Sequence, residues 1–259
     1  MSINFVEIFS QFSTSTLLLL TIIAIVAGIT RGFAGFGSGL ILMPVASALI
    51  DPRLAVAIFL ITDFVATLPL LPPAMRRCNW QTVLPTAITA LIFVPIGVFA
   101  LVQSDPIFVR WGISILTISM LFLLISGWRY QGKPHLVASF GVGATSGFLS
   151  GIAQIGGPPI VTYWLSGSFS ASIIRANLIV FFFITSLSSF LFYFFNNLFT
   201  PSVLAITIII APIYALAIWI GARLHGIASE RIFRMVAYAL IAIAGFSSLP
   251  VFDGVLRGG

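Results

Sequence analysis

Ten apolar stretches succeed one another with hardly a polar interruption, at residues 14–31, 36–50, 54–71, 82–102, 107–128, 135–150, 156–167, 173–195, 201–221 and 232–250. The longer ones reach the ~20 residues that an α-helix needs to cross a bilayer core. They are rich in Leu, Ile and Phe and do not alternate, so they do not fit the ten-residue alternating strands of a membrane β-barrel. The charges agree: twelve basic and six acidic side chains in 259 residues, 7% of the chain, are too few to solvate a globular surface. The chain is predicted to be an all-α polytopic membrane protein with room for about eight full spans and some shorter pieces. Soluble, disordered and disulfide-rich classes are excluded, and Cys78 stands alone. The pI of about 10.3 does not point to nucleic acid, because the basic residues are scattered and no run exceeds Arg76-Arg77. Residues 1–16 carry only Glu7, without the leading positive charge of a secretory signal, so the first stretch is predicted to be a mature helix. Asp51-Pro52, Asp105-Pro106 and Thr200-Pro201 mark helix starts, each a capping oxygen followed by a proline that forfeits no intrahelical bond.

Stretches 36–50 and 156–167 are too short for comfortable spans, and each follows another stretch across a glycine-rich break. The first break runs from Gly32 through Gly35, Gly37, Ser38 and Gly39 toward Pro44, and the second from Gly147 through Ser150, Gln154, Gly156 and Gly157 to Pro158-Pro159. A shift of 115 positions lays Gly32 on Gly147, Phe33 on Phe148 and Pro44 on Pro159. The chain is therefore read as two repeats in one membrane domain, residues 1–130 and 131–259. Each pair of stretches is either one broken span or a hairpin. With broken spans, Lys and Arg divide five against six between the two sides. With hairpins, Arg76, Arg77, Arg129, Lys133, Arg175, Arg223, Arg231 and Arg234 face Arg53, Arg110 and Arg257, eight against three. Cytoplasmic loops are the basic ones, so hairpins are favoured, with both termini outside. Each half then has an odd number of traverses and the repeats are inverted, their breaks meeting near the midplane.

Irregular backbone at membrane depth needs protein or a wet cavity to satisfy it. Glycine runs can aim successive N–H groups at one point, and these nests, like helix N-termini, favour anions. Gly35, Gly37, Gly39, Gly156 and Gly157 are the backbone candidates, and Ser38, Ser150, Gln154, Thr162 and Tyr163 add neutral donors. The plainer alternative is that the glycines only allow helices to pack closely. Asp63, mid-helix, is a candidate for carrying a coupling proton or a structural partner of Arg31. Arg31 offers bidentate contacts to an oxyanion, or pairs with Asp63 or snorkels. Arg175 with Asn177 either guides an anion inward or anchors a basic loop. His135 and His225 lack metal spacing and are read as solvated loop histidines. Ser38 and Ser150 lack a Gly-x-Ser setting and a mid-helix histidine, which argues against an intramembrane protease. The aromatic run from Phe181 to Phe195 is read as lipid-facing or packing surface. No metal or cofactor is expected.

The paired breaks, from Gly32 to Pro44 and from Gly147 to Pro159, with Arg175-Ala176-Asn177 after the second, resemble the TauE/SafE sulfite exporter family over nearly the whole chain. The resemblance implies a plasma-membrane (bacterial inner-membrane) permease for a small sulfur-containing anion such as sulfite, thiosulfate or an organosulfonate like sulfoacetate. It places the functional residues on the two breaks. The second break departs from the commoner triple glycine, having Gln154 and then Gly156-Gly157-Pro158-Pro159. Without a Gly-x-x-x-x-Gly-Lys loop, energy would come from a gradient. An anion channel and a non-transporting membrane subunit or assembly factor are the alternatives, and the sequence leaves a homo-oligomer open.

Overall fold

The computed structural model describes residues 12–127, 135–165, 169–224 and 229–253, which form helices joined by short turns, bends and irregular connections. His225 and the loop charges Arg129, Lys133 and Arg257 lie outside the described residues. In chain order the α-helices are α1 (Thr14–Ala34), α2 (Ser38–Leu49), α3 (Pro52–Thr67), α4 (Leu71–Arg77), α5 (Trp80–Gln103), α6 (Pro106–Ile125), α7 (Leu136–Ala153), α8 (Gly157–Trp164), α9 (Ala171–Phe195), α10 (Pro201–Leu224) and α11 (Glu230–Ser247). A 3₁₀ turn at Leu68–Leu70 joins α3 to α4 into one 26-residue span. Among the described residues, seven helical segments are long and apolar enough to cross a bilayer: α1, α3 with α4, α5, α6, α7, α9 and α10.

The Asp and Thr side chains ahead of prolines start helices as their chemistry dictates. Asp51 accepts from the Arg53 N–H at 2.7 Å, Asp105 from Ile107 at 2.8 Å and Thr200 from Val203 at 3.3 Å. Large apolar side chains such as Leu18, Ile92, Phe108, Phe122 and Ile208 point outward, while Ser114, Thr117, Ser146 and Ser189 are buried. This inversion suits a lipid solvent, where apolar surface costs nothing outside and small side chains bring helices together.

Both short helices run back along the helix before them. Ala46 and Ile50, at the far end of α2, line one cavity with Leu20 from the early part of α1. In the other half, Tyr163 near the end of α8 shares a 2.7 Å hydrogen bond with Ser139 near the start of α7.

The closest helix pairings are α5 with α7 and α1 with α10. Both are parallel and both depend on glycine. Gly143, Gly147 and Gly151 of α7 meet Thr86, Ala90 and Val94 of α5 in ascending order, and Gly32 of α1 lies against Ile218 and Ala222 of α10. Gly32 and Gly147 are therefore interior helix residues at backbone contacts, where the sequence reading has them at the breaks. Pro44 also lies inside its helix rather than ending it.

Candidate functional site

The chain leaves helical geometry between α1 and α2 and again between α7 and α8. α1 ends on Gly35 in the left-handed region (φ 81°), whose N–H donates to the Arg31 carbonyl at 2.8 Å. Gly37 (φ 95°) then precedes α2. The left-handed region favours glycine because it lacks a Cβ. α7 ends likewise on Gln154 (φ 58°), which donates its N–H to Ser150 O at 3.0 Å. The two breaks touch, since a Cβ on Gly39 would overlap the carbonyl of Gln154, and Phe36 packs beside Gly157.

Between the breaks lies a cavity enclosing about 420 Å³ of atom-free space, mouth included. Gly37, Ser38 and Gly39 line it from the start of α2, and Gly157 and Pro158 from the start of α8. Neither start carries a side-chain cap, unlike those of α1, α3, α5 and α6. The first N–H groups of α2 are thus left without side-chain acceptors at the cavity, whereas in the first turn of α8 only Gly157 has an N–H, because Pro158 and Pro159 have none; both helix dipoles are positive there. Phe182 and Ser186 of α9 also line the cavity, and both sit near the middle of that 25-residue helix. Asp63 lies near the middle of the 26-residue span. The site is therefore halfway through the bundle.

Its charges are Arg31 and Asp63. Arg31, 6% exposed, donates to Asp63 at 3.1 Å and to Gly35 O at 2.7 Å, with Phe182's ring centroid 4.8 Å from its guanidinium carbon. The other Asp63 oxygen accepts from the Tyr214 hydroxyl at 2.6 Å. Arg175 reaches the same region, donating to Gly32 O at 2.8 Å, and its side chain lies against Gly35. Among the described residues no carboxylate lies within 4 Å of it. Arg31 and Asp63 cancel, so Arg175 leaves a net positive charge beside the first break.

The TauE/SafE sulfite exporter family profile matches residues 20–248, nearly the whole chain. The chain belongs to the TauE/SafE family. A curated relative from Cupriavidus necator, named probable sulfite/organosulfonate exporter TauE, is 28% identical over 233 residues, covering 85% of this chain and 88% of the relative. No solved structure matches. Membership makes the chain a multi-pass membrane transporter rather than an enzyme.

In this TauE/SafE member, Arg31, Gly37, Ser38, Gly39, Asp63, Ser150, Gln154, Gly157 and Pro158 come together at the cavity. Gly35 and Gly156 shape the breaks, and Pro159 lies in the first turn of α8. Three other sequence candidates have local duties elsewhere. The Thr162 hydroxyl donates back to Pro158 and Pro159 carbonyls, Tyr163 is bonded to Ser139, and Asn177 accepts the Asn79 N–H at 2.7 Å, tying α9 to the start of α5. Sequence reasoning did not single out Phe59, Phe182 and Ser186, which line the cavity, or Tyr214, which donates to Asp63. Phe182 belongs to the aromatic run read as lipid or packing surface, yet it faces Arg31. Ser186, a hydroxyl within that run, was the available signal.

Proposed function

We propose that this chain is a secondary transporter that moves a small sulfur-containing anion, such as sulfite, thiosulfate or an organosulfonate, across the plasma membrane by alternating access. The observation that carries this reading is the meeting of two uncapped helix starts with Arg31 and Asp63 at one cavity halfway through the bundle. Backbone N–H groups at the start of α2 and the Gly157 N–H of α8, with Ser38, Ser150 and Gln154, contact the anion's oxygens, and Arg31 and Arg175 supply positive charge. Such a site has dipoles and donors fitted to an oxyanion, yet much of its Arg31 charge is already held by Asp63, so the anion can be released.

Asp63 couples the cycle to protons. Protonating its carboxyl removes the charge that holds Arg31 and gives the guanidinium to the anion; deprotonation reverses this. The halves 1–130 and 131–259 are inverted repeats, each opening with a hairpin. The reading is supported by the fold-back of α2 and α8, by the αL caps that end both α1 and α7, and by the pairing of each half's first helix with a later helix of the other half, α1 with α10 and α7 with α5. Both termini face outward, and the Arg76–Arg77 loop faces the cytoplasm.

The test is flux of labelled sulfite in proteoliposomes holding the wild type, Asp63→Asn or Gln154→Ala. Saturable, pH-gradient-driven uptake is expected in the wild type, loss of the gradient effect in Asp63→Asn, and weaker affinity in Gln154→Ala. Wild-type flux no greater than that of empty vesicles would overturn the transport reading, and flux that never saturates would indicate a channel.

A further inference from the structure

Tyr193 of α9 is fully buried, and its hydroxyl joins the end of α7 to the side chain of the residue that ends it. At that end the Ile155 N–H turns back to Leu149 O and the Gln154 N–H to Ser150 O. The buried Gly151 carbonyl, which a continuing helix would give to the Ile155 N–H, is one of the acceptors a helix end leaves over. Tyr193 donates to it at 2.9 Å. A phenol has one proton, so the Tyr193 oxygen keeps only lone pairs for its second neighbour. That neighbour is Gln154, whose Nε2 donates to it at 3.3 Å. The order of protons therefore sets the amide with its nitrogen toward the phenol. One Nε2 proton remains. Gln154 lines the polar cavity, as does Ser186 two turns before Tyr193 on α9, whereas Tyr193 itself does not.

We propose that Tyr193 is a positioning residue for anion binding, which holds the Gln154 amide so that its remaining N–H serves an anion oxygen in the cavity. This rests on the transport reading above and adds to it what makes Gln154 a donor. A free glutamine can present either its NH₂ or its carbonyl, and a carbonyl facing an anion repels it. Held by Tyr193, the amide cannot turn over without setting its carbonyl against the phenol's lone pairs. The helix that carries Tyr193 is itself tied to both breaks. Near its start, Arg175 donates to the carbonyl of Gly32, three residues before Gly35, just as Gly151 stands three before Gln154. α9 thus grips the last turn of α1 and of α7, and a side chain mounted on it keeps its place relative to the cavity between them.

The experiment is labelled sulfite uptake in proteoliposomes containing the full chain, with thermal unfolding in detergent beside it, for the wild type, Tyr193→Phe, Gln154→Ala and the double variant. Tyr193→Phe is expected to raise sulfite's KM about fivefold, the loss of one neutral hydrogen bond, with Vmax little changed. In the Gln154→Ala background the same substitution should add nothing to KM, yet still lower the thermal midpoint by removing the bond to Gly151. Gln154→Asn suits the left-handed backbone and keeps an amide, but is one methylene too short to be held. It should bind sulfite as weakly as Gln154→Ala. If Tyr193→Phe raises KM by the same factor with and without Gln154, or lowers only the midpoint, Tyr193 is structural and the proposal falls. A wild-type KM in Gln154→Asn would overturn it as well, even if Tyr193→Phe does not fold. Absence of saturable uptake in the wild type would instead overturn the transport reading, and the positioning role with it.

Discussion

Asp63 accepts from two donors that respond differently to a proton. Arg31 keeps its charge and becomes available to an anion, whereas Tyr214 only loses a bond to a charged acceptor. Asp63→Asn is accordingly expected to flatten the pH dependence of sulfite flux. Tyr214→Phe should leave that dependence in place and lower unfolding stability in detergent by about 1.5–3 kcal/mol, the range for a hydrogen bond to a charged group. Gln154 separates backbone from side chain in the same manner. Its φ of 58° costs a non-glycine residue about 1 kcal/mol. Gln154→Gly should therefore raise the thermal midpoint while weakening anion affinity, and Gln154→Ala should weaken affinity without that gain. Equal midpoints for the two variants would show that the strain is not there.

Helix pairing turns on which glycines face a neighbour. A Cβ on Gly147 would lie 2.6 Å from Ala90's backbone, whereas one on Gly141, a turn and a half earlier on α7, meets nothing within 4 Å. Gly147→Ala is expected to destabilise the protein by about 1–3 kcal/mol through overpacking. Gly141→Ala should stabilise it by about 0.5–1 kcal/mol by removing a mid-helix glycine. Thermal unfolding in detergent reads both. The same contrast explains what the sequence could and could not yield. Helix positions were legible because apolar runs and Asp-Pro or Thr-Pro punctuation are local signals. Gly32 and Gly35 stand three residues apart in one run, yet one packs against α10 and the other ends α1; only the neighbouring helix decides. Arg31, Asp63 and Gln154 were legible because charge or an unusual break residue is conspicuous in an apolar sequence. Phe182 and Tyr214 were not, since aromatic residues fill both lipid-facing and cavity-facing positions of such helices.

At the scale of the molecule, the single cysteine of the chain reports orientation without any engineering. Cys78 lies half-buried between the span ending at Arg77 and α5, and burial pushes its thiol pKa above the ordinary value. Less thiolate is then present at neutral pH, so a membrane-impermeant maleimide should react slowly and faster as pH rises. Labelling is expected in inside-out vesicles and not in right-side-out ones; the opposite pattern would reverse the proposed orientation. The pairing of α1 with α10 bears equally on how the protein is made. Roughly 170 residues separate the two helices, which at ribosomal speeds of 5–20 residues per second is about 8 to 35 s of synthesis. For that interval the Gly32 face of α1 waits in the bilayer without its partner. Insertion factors, or a transient surrogate helix, have that long to guard it.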